Sequence, residues 1–563
     1  PCKDNPEKPP IWQVKAKRVI LDGVTRTVSY ENATFELFGR PIAFLPYFSH
    51  ADPTVKRKSG FLIPRGGYRD DLGLWYGQSY FLKTGESHDL TLSLTGYSQQ
   101  GFLGEAEWRH QLDNGYYTFR AGGIHQLDRN KFDLAPDNSE FNRGYIGTSG
   151  KFDINPRWAF GWNVLAQSDN TFSRTYRNTG YSDTVITNDL YLRGLNGRNY
   201  FDLSGYQYLI QGTNYLVEDE QAMIHPVFDY NRVATSDLTG GELSLNVNVT
   251  SLSRTTLSAD SAAITPLSGD QRTYGVDGKT SRASLDAGWK KTYTTTAGLM
   301  LTPSLSVRGD ATNVNGFSAA GSEAVDTGTT TRFMPTAAVE VAYPILARSA
   351  TSSHVFEPVA QILLRPDLAY TGILPNEDAQ SLVFDTTNLF SHDKFSGYDR
   401  IEGGTRANIG LRYSGIFSSG LSLTGVIGQS FHLSGDNPYA QNDLTNTGGE
   451  SGLETDRSDI VASIGAVANG LGLSTSGRFD EADFELKRAE AKLSYAVDDW
   501  TLSSNYTFVA AQPDYGFTQD RKEVGVGASY KFAENWTVFG AATYDIDDNL
   551  FVNKSAGIAY GDE

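Results

Sequence analysis

The chain predicts an all-β fold: a large transmembrane antiparallel β-barrel of roughly two dozen strands, preceded by the tail of a small β-domain. Three observations carry this. Apolar and polar residues alternate with period two from about residue 60 onward, the repeating segments are about ten residues long, and tight turns alternate with long polar loops. Tilted strands of about ten residues cross a bilayer, whereas strands in soluble sandwiches average nearer five or six.

Composition removes the competing classes. Of 563 residues only 39% are apolar, and no stretch approaches the ~18 uninterrupted apolar residues of a spanning helix. Aromatic residues make 12% of the chain, which excludes disorder. The net charge of −18 argues against nucleic acid as a partner, since few phosphate counterions would be released. Cys2 stands alone, so an internal disulfide is impossible. Eight dispersed histidines, without a His-Glu-x-x-His run or a Gly-x-Ser-x-Gly elbow, indicate no enzyme, no cofactor and no metal centre.

Taken in chain order, residues 1–50 read as the β-domain tail, 51–59 as a basic linker and 60–563 as the barrel. Within the tail, alternating runs at 12–16 and 34–38 end in the apolar stretch 41–48. The first barrel strand is expected from Gly60 to Tyr68 and the next from Leu74 to Leu82. Further on, Leu243, Leu245, Val247 and Val249 share one face, opposite Ser244, Asn246 and Asn248. The same rhythm returns at Trp500 to Phe508, Val524 to Phe532 and Trp536 to Ile546. Tight turns fall at Asp113-Asn114-Gly115, Asn155-Pro156, Asp498-Asp499 and Glu534-Asn535, and long loops at 128–141, 253–281, 314–331, 366–406, 433–458 and 510–521. Short turns on one rim and long loops on the other are the asymmetry of an outer-membrane barrel. Its inner face of Ser, Thr, Asn, Gln and Gly implies a wet lumen, and a barrel so wide cannot fill itself with side chains.

Two stretches go beyond pattern. Residues 41–48 (PIAFLPYF) are followed by 57–64 (RKSGFLIP); residues 374–381 (LPNEDAQS) are followed by 385–390 (DTTNLF) and 395–406 (FSGYDRIEGGTR). Together they resemble the LptD family of outer-membrane lipopolysaccharide-assembly proteins, over essentially the whole chain. The resemblance implies a barrel of about 26 strands behind a periplasmic β-jellyroll, in the cell outer membrane with its N-terminal segment in the periplasm. It implies an LptE-like lipoprotein plug in the lumen, an LptA-like periplasmic bridge protein, contact with outer-membrane lipids, and lipopolysaccharide as cargo. The sugar would pass through the lumen and the acyl chains sideways through a seam between first and last strands. Only the last jellyroll strands fall within the chain, and Cys2 sits where a family cysteine would bridge to a partner outside it. The extreme C-terminus is expected to lack a closing strand. Alternatives from composition alone are a large channel or uptake receptor and, far behind, an outer-membrane hydrolase.

On this reading the lateral gate comprises Pro64, Gly66, Gly67, Gly557 and Tyr560. Proline lacks the N–H a ladder bond needs, although Pro64 could simply mark a strand's beginning. Gly77 is expected to weaken the next strand. Phe35, Leu37, Ile42, Phe44 and Leu45 are candidates for the acyl-chain path, against an ordinary jellyroll core. Lys56, Arg57 and Lys58 are candidates for lipid A phosphate contact, against a solvated linker. Asp399, Arg400, Glu402 and Arg406 are read as an ionic lock of a loop folded into the lumen, ahead of direct sugar contact.

Overall fold

The computed structural model describes residues 12–37, 39–52, 54–55, 57–133, 135–177, 181–212, 216–259, 272–316, 325–368, 373–441 and 444–561. Cys2 and Lys56 lie outside them.

β1 (Trp12–Asp22), β2 (Thr27–Leu37) and β3 (Arg40–Ala51) form a three-stranded antiparallel sheet. Its strands are longer than the alternating runs suggested, because polar residues such as Ser29, Glu31 and Ser49 continue the ladder past the apolar stretches. Directly opposed residues share a face. Phe35 opposes Ala43 and Ala33 opposes Leu45, whereas Thr34 opposes Phe44 on the other side. The expected single acyl path is therefore divided: Phe35, Leu37 and Leu45 line one face, Phe44 the opposite one. Ile42 is the unpaired residue at the register shift between Phe35 and Glu36. Ile42 and Phe44 are each 60% exposed, so neither is core within this sheet.

The long strands that follow make one closed antiparallel barrel whose order follows the chain. Among the described residues it contains 27 segments, three of which continue a neighbour after a break. β4 (Gly60–Phe61) and β5 (Arg65–Arg69) both pair with β6 (Gly73–Lys83). Tyr293–Thr294 continues Gly278–Lys290, and Ile345–Arg348 continues Gly328–Ala342. Counting each broken strand once leaves 24, near the 26 expected.

Tight turns join these strands where turn-forming residues stand: Asp113-Asn114, Pro156-Arg157, Asp498-Asp499 and Glu534-Asn535. Between them come the long connections, such as 365–404 and 435–459. The period-two faces separate cleanly. Leu243 is 42% exposed while Asn248 on the same strand is buried, the arrangement of a wall with lipid outside and polar groups within.

Two compact units can be described separately. The first, residues 1–154 with 161–188 and 209–213, has a core of Leu103, Leu165, Phe172 and Tyr176 with their neighbours. The fully buried Arg143 side chain holds it together, contacting Asp137 and Asp169 at 2.6 Å each beneath the rings of Phe172 and Tyr176. In the second unit Phe384, Leu389, Phe395, Tyr439, Leu453 and Val461 pack together, drawn mainly from the two longest connections.

Glycine has a specific use in the last strand, Leu550–Tyr560. Gly557 opposes Phe539, whose ring end comes so close that a Cβ would stand 2.6 Å from its Cζ. Gly557→Val is expected to overpack this contact and cost about 1–3 kcal/mol. The loss should appear as a lower temperature for conversion of the compact, folded band to the unfolded one on an SDS gel.

Candidate functional site: the first-strand break and the lumenal lock

The first barrel strand does not run through Pro64, as the sequence reading supposed. Between the pairs Phe61–Tyr80 and Arg65–Gly77, the three residues Leu62, Ile63 and Pro64 face only Gln78 and Ser79. One residue too many, one of them without an N–H, forces the chain out of the ladder. Leu62 still donates its N–H to the Ser79 carbonyl at 2.9 Å, and Gln78 Nε2 donates to the Leu62 carbonyl at 2.7 Å. Ile63 is thrown outward, 90% exposed.

Gly66 and Gly67 lie in β5 opposite Tyr76 and Trp75, and the Trp75 indole covers Gly67 so closely that a Cβ there would meet Nε1 at 3.0 Å. Gly67 therefore serves packing as well as flexibility. β6 runs unbroken through Gly77, which pairs with Arg65 on one side and Thr95 on the other. At the other end of the chain, Gly557 and Tyr560 pair with Phe539 and Trp536, the Tyr560 and Trp536 rings lying 4.9 Å apart.

The basic linker is already occupied. Arg57 forms an ion pair with Asp89 and donates to the Glu86 carbonyl at 2.7 Å; Asp89 also receives Arg109 at 2.8 Å. Lys58 donates to Thr27 Oγ1 and to the Thr25 carbonyl at 3.3 Å, which pins the linker to the β1–β2 turn. Arg57 and Lys58 thus fix the linker against β2, β7 (His88–Tyr97) and the β1–β2 turn, and Lys56 lies outside the described residues.

The connection 365–404 carries the densest charge cluster of the second unit. Its acids are met by arginines from the polar faces of neighbouring strands. Arg254 forks onto Glu377 with two 2.7 Å bonds. Arg282 bonds Asp399, and also Asp378 at 2.8 Å. Arg332 donates to the Asp399 carbonyl at 2.7 Å and to Asp310 at 2.9 Å, and Arg308 joins Asp310 at 3.1 Å. Asp399 also caps the backbone N–H groups of Glu377 and Asp378 at 2.7 and 3.1 Å. Burial raises both carboxyls, but at Asp399 Arg282, the Glu377 N–H and Arg400 together outweigh it and hold that group low, while Asp378, beside ionised Asp399, stays raised.

The second half of the cluster centres on Glu402. Arg406 Nε lies 2.7 Å from its carboxylate, an ion pair bent off the hydrogen-bond line, and both side chains are wholly enclosed. Arg365 follows at 3.4 Å, and the Lys394 N–H donates to Glu402 at 3.2 Å. Burial alone would push the Glu402 carboxyl up; Lys394, Arg365 and Arg406 together overcome it and hold the group at about 2. Burial brings the Lys394 ammonium down to about 8. The Tyr439 ring lies 5.1 Å from the Arg406 guanidinium and 4.7 Å from the Phe395 ring, joining the charges to the apolar cluster.

Asp399, Glu402 and Arg406 thus stand inside one cluster, and Arg400, whose charge helps to hold Asp399 low, donates to the carbonyls of Pro375 and Leu374 at 3.2 and 3.3 Å. Sequence reasoning missed Arg254, Arg282, Arg308, Asp310, Arg332, Arg365 and Lys394. The available signal was charge on faces otherwise built from Ser, Thr and Asn, as at Arg282, Asp310 and Arg332.

Residues 141–536 match the family model described as LPS transport system D. Among curated proteins, the chain is 23% identical to the LPS-assembly protein LptD of Pectobacterium atrosepticum, covering 98% of this chain and 69% of that one. It is equally identical to the LptD of Acinetobacter baumannii, covering 99% and 64%. Against the LptD of Psychrobacter cryohalolentis the shares are 98% and 54%, so the chain spans between about half and two thirds of such relatives. Solved barrels of iron uptake superpose loosely: the FrpB transporter of Neisseria meningitidis at TM-score 0.31 and 10% identity, covering 90% of this chain and 82% of that one. The ferric citrate transporter FecA gives 0.29 and 9%, covering 98% and 95%. With the family model matched over more than half its residues, the chain belongs to the LptD family.

Proposed function

We propose that this protein moves lipopolysaccharide into the outer leaflet of the outer membrane, passing the sugar through its lumen while the acyl chains travel sideways through a seam between its first and last strands. The family match carries the reading. Two physical features agree with it. The first barrel strand is broken at Leu62–Pro64, where apolar residues stand exposed, and the wall is polar on its inner face. A ladder already interrupted costs less to open than an intact one. The role is one of transport and assembly, and no residue is assigned to catalysis.

The same proposal includes its partners. An LptE-like lipoprotein occupies the lumen, an LptA-like bridge protein delivers cargo to the β1–β3 sheet, and Cys2 pairs with a cysteine outside this chain. The exposed apolar residues on both faces of that sheet suit contact with acyl chains or with a further layer of strands.

The test is depletion of the protein in cells that depend on it, with newly made, radiolabelled lipopolysaccharide followed to the cell surface. Surface arrival should stop while synthesis continues, and supply of the protein should restore it. Unchanged arrival in depleted cells would rule the reading out.

A further inference from the structure

On the lumenal side of the first strands lies a cavity of about 220 Å³, lined by Arg65, Trp75, Ser93, Thr95, Glu105 and Arg109 among others, and also by Leu62 and Ile63 of the strand break. These side chains share a face by register: Gly77 opposes Thr95, Ser79 opposes Ser93, and Ser93 opposes Glu105. That face is the inner one, since Thr95 is buried while Leu92 and Leu94, one step along the same strand, are exposed.

The cations near the break are unequally committed. Arg57 and Arg109 share Asp89, and Arg120 pairs with Glu107 at 2.8 Å. Arg65 holds no hydrogen bond or ion pair among the described residues, although its charge acts on Glu105 across the cavity. Glu105 in turn accepts from Tyr145 at 3.2 Å and retains further acceptor capacity. The cavity therefore joins an uncommitted guanidinium, a carboxyl group with remaining acceptor capacity, hydroxyls and an indole, beside the apolar side chains of Leu62 and Ile63. A guanidinium suits a phosphate, carboxylate and hydroxyls suit sugar hydroxyls and amides, and an aromatic face suits the C–H side of a pyranose. At ~30 Å³ per water the space equals roughly seven waters, the scale of one sugar ring.

We propose that this cavity is a headgroup pocket, which takes a phosphorylated sugar of a glycolipid while the attached chains lie outward past Leu62 and Ile63. The pocket rests on the proposed transport function and adds Arg65 as a phosphate contact. It requires only binding, with no bond made or broken.

The test places a photoreactive phenylalanine derivative at Thr91, which also lines the cavity, in the full-length protein in growing cells, with a second copy at Asn246 in the lumen as reference. Thr91 should capture lipopolysaccharide. Adding Arg65→Gln should cut that yield about tenfold, the loss expected of one charge-assisted contact, and Arg65→Lys should restore part of it. Capture at Asn246 and the amount of folded protein should stay unchanged. Capture of glycerophospholipid in place of glycolipid at Thr91 would overturn the glycolipid assignment. Capture at Asn246 with none at Thr91 would overturn the pocket and leave the transport function standing, whereas silence at both positions would count against both.

Discussion

Glu402→Ala is expected to destabilise the folded loop by about 3–5 kcal/mol, the cost of stranding buried charges without their partner. Lys394, Arg365 and Arg406 converge on this carboxylate, and Arg406 and Glu402 are entirely enclosed. Water cannot replace the lost anion there. On an SDS gel, the temperature at which the folded band converts should fall by roughly 2–4 °C. Pairing the substitution with Arg406→Met should recover part of the loss, because a charge is then removed together with its partner. The pH dependence follows from the same residue. Its folded pKa of about 2 lies below the ordinary 4.5, so the stabilisation is complete above about 4.5 and is lost as pH falls towards 2. Unfolding temperatures should hold between about pH 7 and 5 and drop below about pH 4, less so in Glu402→Ala. A single variant that converts at the wild-type temperature would remove Glu402 from the lock.

How much of this could be read from residues alone depends on the range of the interaction concerned. Strand identity is a local matter, decided by alternation within about ten residues, and the faces assigned to Leu243 and Asn248 are those observed. Turns are equally local, so Asp498-Asp499 and Glu534-Asn535 stand where expected. The lock is not local. Arg282 lies 117 positions from Asp399 and Arg254 lies 123 from Glu377, separations at which only the closed sheet decides what meets. The acids of the loop could be named beforehand, therefore, but not their cationic partners. The break at Pro64 is intermediate. Proline announces an interruption, yet whether it ends, bulges or splits a strand depends on how many residues stand opposite, and that count belongs to β6. For the acyl path the pairing of β2 with β3 sets Phe35 opposite Ala43 and Phe44 opposite Thr34, so Phe44 and Phe35 part because side chains change face at every step.

Pro64→Val should slow delivery of lipopolysaccharide to the cell surface. Valine returns the missing N–H and favours extended backbone, so the stretch from Leu62 to Pro64 can be drawn closer to Gln78 and Ser79. One recovered ladder bond together with strand propensity is worth about 1–2 kcal/mol, which lowers the population of an opened first strand by a factor of roughly 5–30. If opening limits export, the surface arrival of pulse-labelled lipopolysaccharide slows by up to that factor, while the folded band survives to an equal or higher temperature. Pro64→Gly provides the internal comparison. It also regains an N–H but keeps backbone freedom, so its rate should lie between those of the wild type and Pro64→Val. That order separates a closing effect from simple damage, because a misfolded variant would lose speed and thermal resistance together. Wild-type export by Pro64→Val at normal protein levels would show that the break is a packing feature of β4 and β5 and not a point of opening.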